Sequence, residues 1–425
     1  LKVLLLTYGC TMNQADSDVI RGVLESHGVK MANSLTEADA VFINSCAVKG
    51  ATEQKILYRA REIAKAGKPL VFGGCIPSAN PELVRKNLPK AVLVGPSSLS
   101  HSFEAVKAAL EGKKAEFFAE SEEKYQLPRK RGSVIARVQI NEGCTSACSF
   151  CQTRLARGRL HSYPLEEIVS EVRLCLEKGA KEIQVTSQDT GAYGLEIGTD
   201  VCELVDSITR LPGDFMVRVG MMNPDHAKRL LPKLIRMLEN KKVYAFAHLP
   251  VQSGSNKVLK DMRRAHSVED LVDVVNALRE AIPGVTISTD VIVGYPTESE
   301  DDFKQTLQLL EEMRFDIVNV SKFTPRPFTP AAELKELDNK LVKKRSEITS
   351  RLVRGITAEK NRELVGKTFR VLVTEKRKNG FSGRTDSYKQ VALPNQELEL
   401  GKWVKAVVKE ASGASLIAEA SGRRL

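Results

Sequence analysis

The sequence predicts an α/β protein of three parts: an N-terminal parallel α/β sheet domain, a partial (β/α)6 barrel and a small C-terminal β-barrel. Three observations predict it. Over residues 1–112 short apolar runs alternate with amphipathic stretches of helical period, the pattern of a parallel sheet covered by helices. Over residues 132–361 further strand-like runs recur with helical segments between them, which argues for a curved parallel sheet whose catalytic groups gather at the carboxyl ends of its strands. Over residues 363–425 short clusters of β-formers are broken by Asn379-Gly380 and Ser412-Gly413, as in small barrels of the oligonucleotide-binding type.

In chain order, the first domain carries apolar runs at 3–6, 41–43 and 70–72 and closes with a helix over 103–110. The polar stretch 120–131, with Pro128, reads as a linker. Strand-like runs of the second domain fall at 134–140, 182–186, 215–219, 243–247, 285–293 and 317–320. Pro325, Pro327 and Pro330 end the sixth unit, and a charged helix over 337–361 leads out. The last part offers strands at 369–373, 389–393, 403–408 and 415–418.

A chain of 425 residues can bury a large core in two to four domains. Its net charge of +11 is localised: residues 124–160 carry eight Lys or Arg against the single acid Glu142, and residues 363–425 carry twelve against seven. Lys124, Arg129, Lys130 and Arg131 lead toward a cysteine-rich loop, and Arg154, Arg157 and Arg159 leave it. Two basic flanks on one loop point to a polyanion such as nucleic acid; the alternative is a solvated charged face. No apolar run approaches the roughly 20 residues of a membrane span. The first strand begins at once, which leaves no room ahead of it for a secretion signal.

The loop Gly143-Cys144-Thr145-Ser146-Ala147-Cys148-Ser149-Phe150-Cys151 sets three thiols at CxxxCxxC spacing. A cubane iron–sulfur cluster takes four thiolates, so three leave one iron open for another ligand. Zinc is the rival, but it wants a fourth Cys or His at short spacing, and the nearest candidate is His161. Cys10, Cys46 and Cys75 each sit just past an apolar run of the first domain. In a parallel sheet the carboxyl ends share one edge, so these thiols are expected to converge as a second three-thiolate site; the alternative is that each is a small buried hydrophobe. Cys175 and Cys202 suit apolar helix positions and read as structural. Thiols committed to iron imply a reducing, cytoplasmic setting rather than a disulfide framework.

The CxxxCxxC loop resembles that of the radical S-adenosylmethionine enzymes. Adding Thr7-Tyr8-Gly9-Cys10-Thr11-Met12-Asn13, Asn44-Ser45-Cys46-Ala47-Val48, Gly73-Gly74-Cys75-Ile76-Pro77, Leu249-Pro250-Val251-Gln252-Ser253-Gly254-Ser255, Asp290-Val291-Ile292-Val293-Gly294-Tyr295-Pro296-Thr297-Glu298 and Ser321-Lys322-Phe323-Thr324-Pro325-Arg326-Pro327, the chain resembles the methylthiotransferases nearly throughout. The segments 186–194 and 243–248 look like the archaeal and eukaryotic branch that acts on N6-threonylcarbamoyladenosine at position 37 of tRNA. The terminal barrel resembles the TRAM domain, an RNA-binding module. Departures at Thr324, Phe328, Tyr295 and Thr297 lie near the expected pocket wall and touch no cluster ligand.

The resemblance implies two [4Fe-4S] clusters and S-adenosylmethionine, which serves as methyl donor and as radical source. It places the catalytic cluster on Cys144, Cys148 and Cys151 and the auxiliary one on Cys10, Cys46 and Cys75. Phe150 and Phe323 are expected against the adenine of the cofactor, Gly294 where backbone approaches it, and Ser187, Gln188 and Asp189 around its ammonium. Arg218 and Gln252 line the pocket or serve as structural hydrogen-bonders. Arg154, Arg157 and Arg326 are expected to meet substrate, and Arg326 and Arg218 to meet the threonylcarbamoyl carboxylate. The implied partners are the anticodon loop of tRNA and a ferredoxin- or flavodoxin-like reductant; the sulfur donor is not read. The alternatives are action on isopentenyladenosine 37, action on a ribosomal-protein aspartate, or a non-catalytic iron–sulfur RNA-binding protein.

Overall fold

The computed structural model describes residues 1–47, 50–413 and 415–424. Val48, which ends one of the resemblance segments, and the side chains of Arg423 and Arg424, which enter the charge count, lie outside the described residues.

Ala40–Ser45 is buried throughout, as a strand covered on both faces by helices must be. It lies inside a parallel sheet of order Lys30–Met31, Lys2–Thr7, Ala40–Ser45, Leu70–Gly74, Val92–Val94, Glu116–Phe117. Helices Thr11–Ser26 and Ser102–Leu110 cover one face through Val19, Ile20, Val23, Ala105 and Val106. Helices Gly50–Lys65, Cys75–Ala79 and Pro81–Asn87 cover the other through Ile56, Leu57, Ile63, Ile76 and Val84. The strands that precede Cys10, Cys46 and Cys75 are immediate neighbours, with Thr7 beside Asn44 and Ser45 beside Gly74, so the three cysteines emerge at one edge.

The second domain is a curved parallel sheet of Ile135–Gln139, Glu182–Thr186, Met216–Val219, Phe246–His248, Thr286–Val293 and Ile317–Lys322. Bridges Val217 to Val243 and Met221 to His248 join its two halves. Period-2 alternation divides the strands: Ile183, Val185, Val217, Val219, Ile287 and Val291 join the core beneath the outer helices, and Gln184, Arg218, Phe246, His248 and Asp290 face inward. Capping boxes at Ser267/Asp270 and Ser299/Asp302 start two of those helices.

The third part is a closed barrel of Thr368–Arg377, Gly380–Thr385, Gln390–Pro394, Leu416–Arg424 and Trp403–Ala411. Its Leu372, Trp403 and Tyr388 pack on Met216, Tyr244 and Phe246, and the Ala245 N–H donates to Asp386 O at 3.0 Å. Met216 and Phe246 begin their strands, so the barrel docks at the amino ends of the parallel sheet. The CxxxCxxC loop follows the carboxyl end of Ile135–Gln139, on the opposite side.

Three expectations need correction. Glu116–Phe117 extends the first sheet past residue 112. Gly380–Thr385 is a barrel strand where only a turn was expected; Ser382 and Gly383 depress its β-propensity. The 120–131 stretch is not a solvated linker: Lys124 is 1% exposed, and Arg129 crosses helix Thr11–Ser26 where a Cβ on Gly22 would lie 2.3 Å from the Arg129 Cα. Its charges made it read as exposed, and their partners come from elements far away in sequence.

Candidate active site at the domain junction

Asn13, one turn into the helix that Cys10 precedes, organises the first thiol set. Its Nδ2 donates to Tyr8 O at 3.1 Å and Ser45 O at 2.7 Å. Its Oδ1 then faces the Cys10 Sγ at 3.6 Å and the Cys75 Sγ at 3.7 Å. Cys46 closes the set from beside Gly9, which stands at φ 108° and where a Cβ would sit 2.4 Å from the Cys46 Cβ. Only glycine fits such a cradle. Burial, with the neighbouring Cys10 and Cys46, pushes the Cys75 thiol up to about 12; an uncompensated thiolate there is costly, and a bound metal removes that cost by replacing the proton.

In the second set the Cys144 Sγ accepts from the Ser146 N–H at 3.4 Å and the Cys151 Sγ from the Thr153 N–H at 3.3 Å. Arg264 donates through Nη1 to the Cys148 Sγ at 3.2 Å, and through Nη2 to Asn223 Oδ1 at 2.6 Å and Pro250 O at 3.1 Å. Burial, with Asp189 nearby, raises the Cys144 thiol to about 11. Ser149 pins the loop: its N–H donates to Met262 O at 3.1 Å and its O accepts from the Ala331 N–H at 2.8 Å. His161, the zinc alternative's fourth ligand, instead faces Glu123 at 3.5 Å.

The structure brings Phe150 and Phe323 together around Tyr295, Val258 and Met262, an apolar surface beside the loop. Gly294 stands at φ 76° with its missing Cβ aimed at Val342, 2.7 Å away, so packing against helix Asn339–Arg362 explains the glycine, not approach to an adenine. Asp189 is not free for an ammonium: it is fully buried and accepts from the Gly191 and Asn223 N–H groups at 3.1 Å each and from Asn223 Nδ2 at 2.6 Å. Ser187 Oγ accepts from the Asp189 N–H at 3.1 Å. Gln188 Oε1 is buried with no partner among the described residues, which leaves it as the acceptor. Gln252 stands at φ 75° and bridges Val291.

Two arginines expected at substrate are instead spent on joining the domains. Arg157, 4% exposed, donates to Asp16 Oδ2 at 2.6 Å, Glu142 Oε2 at 3.0 Å and Asn13 Oδ1 at 3.1 Å. Lys124 completes the group, 2.7 Å from Asp16 and 2.5 Å from Glu142. Burial opposes the Asp16 charge, yet Arg157 and Lys124 hold its carboxyl below the usual range. Arg326 reaches Ala47 O, Glu53 Oε2 at 3.0 Å and Gln152 Oε1 at 3.1 Å. Helix Cys75–Ala79 packs on helix Thr153–Arg157, where Ser78 Oγ donates to Ala156 O at 3.0 Å. The two thiol sets are thus held on either side of one junction. Of the basic flank, Arg131 is bound to Glu171 and Arg137 faces Asp18; Arg154 and Arg159 remain exposed. Arg218, placed at the cofactor pocket, instead stacks over Phe246 and over Tyr388 of the terminal barrel. Asn13 was legible as part of the Cys10 segment and Lys124 only as one charge of a basic flank, but Asn223, Arg264 and Asp16 carry no sequence signal, because they converge from separate elements.

Models of three known families match the chain in order: "Uncharacterized protein family UPF0004" over residues 2–95, the Radical SAM superfamily over 138–310 and the TRAM domain over 362–421. A probable threonylcarbamoyladenosine tRNA methylthiotransferase of Archaeoglobus fulgidus is 43% identical over 96% of both chains. The chain belongs to the radical S-adenosylmethionine methylthiotransferases. The threonylcarbamoyladenosine tRNA methylthiotransferase of Drosophila melanogaster is 36% identical over 98% of this chain and 77% of its own. Among solved structures, the radical S-adenosylmethionine methyltransferase TsrM of Kitasatospora setae shares the fold, with TM-score 0.56, 15% identity, and coverage of 78% of this chain and 77% of that one. The family's cofactors are S-adenosylmethionine and two [4Fe-4S] clusters, and the chain offers three thiols for each, one set held around Asn13 and Gly9 and the other in the CxxxCxxC loop. No helix among the described residues is long and apolar enough to cross a membrane.

Proposed function

We propose that this methylthiotransferase replaces the C2 hydrogen of N6-threonylcarbamoyladenosine 37 in tRNA by a methylthio group. Full-length similarity to relatives named for that substrate carries the reading, and the paired thiol sets support it. Cys144, Cys148 and Cys151 would hold the radical-generating cluster, and Cys10, Cys46 and Cys75 the auxiliary one. When bound, these groups and S-adenosylmethionine supply the radical and the sulfur that an unreactive C–H bond requires.

The chain's own residues have definite parts. Arg264 places a cation against the Cys148 Sγ. Gln188 Oε1 offers an unpaired acceptor to the cofactor's ammonium, and Phe150 and Phe323 offer an apolar face to its adenine. The Asp16, Lys124, Glu142 and Arg157 group fixes one thiol set against the other, so that sulfur and radical are presented to a single base. A single-stranded anticodon loop can splay that base into a pocket, with exposed Arg154 and Arg159 at hand for its phosphates. Electrons would come from a ferredoxin- or flavodoxin-like protein of the cytoplasm.

The test offers matched anticodon stem-loops with unmodified, isopentenylated or threonylcarbamoylated adenosine 37 to the anaerobically reconstituted protein. A methylthio mass shift on the threonylcarbamoyl form is expected. Preferential turnover of the isopentenyl form would refute the substrate.

A further inference from the structure

Arg218 is a half-buried cation that no carboxylate pairs among the described residues. It sits next to last in strand Met216–Val219, in register with Gln184, and the outward placement of Val217 and Val219 in the helix-covered core turns it into the barrel. Its guanidinium lies 5.2 Å from the Phe246 ring centroid and 5.7 Å from that of Tyr388. Its Nε is buried without a hydrogen bond, and no ion pair involves it among the described residues. Arg384, on strand Gly380–Thr385 of the terminal barrel, lies over the same Tyr388 ring at 5.0 Å. Its Nε is likewise buried and unpartnered.

The neighbouring carboxylate cannot neutralise both. Glu182 Oε1 accepts from Gln184 Nε2 at 2.7 Å and from the Tyr388 hydroxyl at 3.3 Å, and Oε2 accepts from the Tyr244 hydroxyl at 3.1 Å. Three of its roughly four lone-pair sites are thus taken by neutral donors, and neither guanidinium hydrogen-bonds to it among the described residues. Burial, reinforced by Arg384, pulls the Arg218 pKa down despite Tyr388 and Glu182. Stacking on rings returns part of the desolvation cost, but leaves the N–H edges bare. A half-buried cation without an ion pair adds little to the docking of the two barrels, and an apolar residue would serve that contact better. Such a pair suits an incoming anion with a planar fork of oxygens, which guanidinium binds in bidentate fashion.

We propose that Arg218 and Arg384 form a carboxylate site between the two barrels, and that it receives the threonine carboxylate of the modified base. This rests on the substrate reading above. On adenine, N6 and C2 are carried by ring carbons on either side of N1, so a base that turns C2 toward the radical sends its N6 substituent elsewhere. A base held at the carboxyl ends of the strands would send that substituent down the barrel toward the amino ends, where its terminal carboxylate meets the inward-facing Arg218 of strand Met216–Val219. Arg326, the other arginine considered for this role, is already held by Ala47, Glu53 and Gln152. The terminal barrel then contributes a residue to base recognition as well as charge for RNA.

The experiment measures the affinity of the reconstituted full chain for three stem-loops: unmodified at position 37, threonylcarbamoylated, and threonylcarbamoylated with the carboxylate converted to its primary amide. The acid form is expected to bind about ten- to hundredfold tighter than the amide, the value of a charge-assisted pair. Arg218→Met and Arg384→Met should erase that ratio and Arg218→Lys should restore part of it. The acid-to-amide comparison uses the unaltered protein, so it stands even if a variant fails to fold. Equal binding of acid and amide, or a full preference retained by folded Arg218→Met, overturns the site. If the methylthio product still forms on the threonylcarbamoyl stem-loop in that case, the substrate reading survives; if it forms only on an isopentenylated one, both fall.

Discussion

Replacing Arg157 by Met should loosen the first domain from the second. The buried group holds two cations, Lys124 and Arg157, and two anions, Asp16 and Glu142, linked by contacts of 2.5 to 3.0 Å. Without the guanidinium, two carboxylates share one ammonium, and one negative charge stays buried and uncompensated. Breaking a buried pair from one side costs about 3–5 kcal/mol, a large share of the margin by which any domain is stable. The methionine fills much of the volume, so the loss is electrostatic rather than a cavity. Because Asp16 belongs to the first domain, Lys124 to the connector, and Glu142 and Arg157 to the second, the loss falls on docking. Thermal unfolding of the metal-free chain should therefore shift to lower temperature, and proteolysis within residues 120–131 should accelerate. Asp16→Asn combined with Arg157→Met should show a coupling of roughly 1–3 kcal/mol. An unchanged midpoint with strictly additive single changes would refute the assignment of these residues as the interdomain clasp.

Two changes should split the iron content. The reconstituted protein is expected to hold about eight iron atoms, and Cys148→Ala about four, without 5′-deoxyadenosine formation; Gly9→Ala, which drives a Cβ into Cys46, should lose the other half and keep that formation. Deleting residues 363–425 would uncover Met216, Tyr244 and Phe246, so charge is better tested in place. Lys376→Gln with Lys378→Gln on the exposed hairpin should reduce the slope of log affinity for tRNA against log salt by roughly 1.5, and an unchanged slope means that this hairpin meets no phosphate. Burial, with Arg264 nearby, pushes the His266 imidazole down from 6.5 to about 4. The unfolded chain then takes the proton first, so this contribution is whole above the unfolded value and falls away toward pH 4. Urea titrations should show about 2 kcal/mol lost between about pH 7.5 and pH 5, and His266→Phe should remove that part of the pH dependence.

Local pattern carried much of the architecture. Fully buried runs such as Ala40–Ser45 and the alternation of strands with amphipathic helices need only side-chain period and burial to be read, and the observed strands fall where the runs are. Gly380–Thr385 escaped because a strand rich in Gly and Ser is made by its neighbours in a closed barrel, not by its own propensity.

The sequence by itself determined which residues have the chemistry: six cysteines in two sets of three, one local at CxxxCxxC spacing and one distributed over three strand ends, where parallel topology alone makes them meet. What only the tertiary structure decided is the use of each charge. Arg154, Arg157, Arg218 and Arg326 are indistinguishable as letters, yet one is exposed, two are consumed by carboxylates and carbonyls across a domain junction, and one is half-buried with no ion pair among the described residues. The reason is physical. An arginine's role is set by which acid, if any, the fold brings within hydrogen-bond reach of it, and those acids here lie far away along the chain: 141 residues from Arg157 to Asp16 and 273 from Arg326 to Glu53.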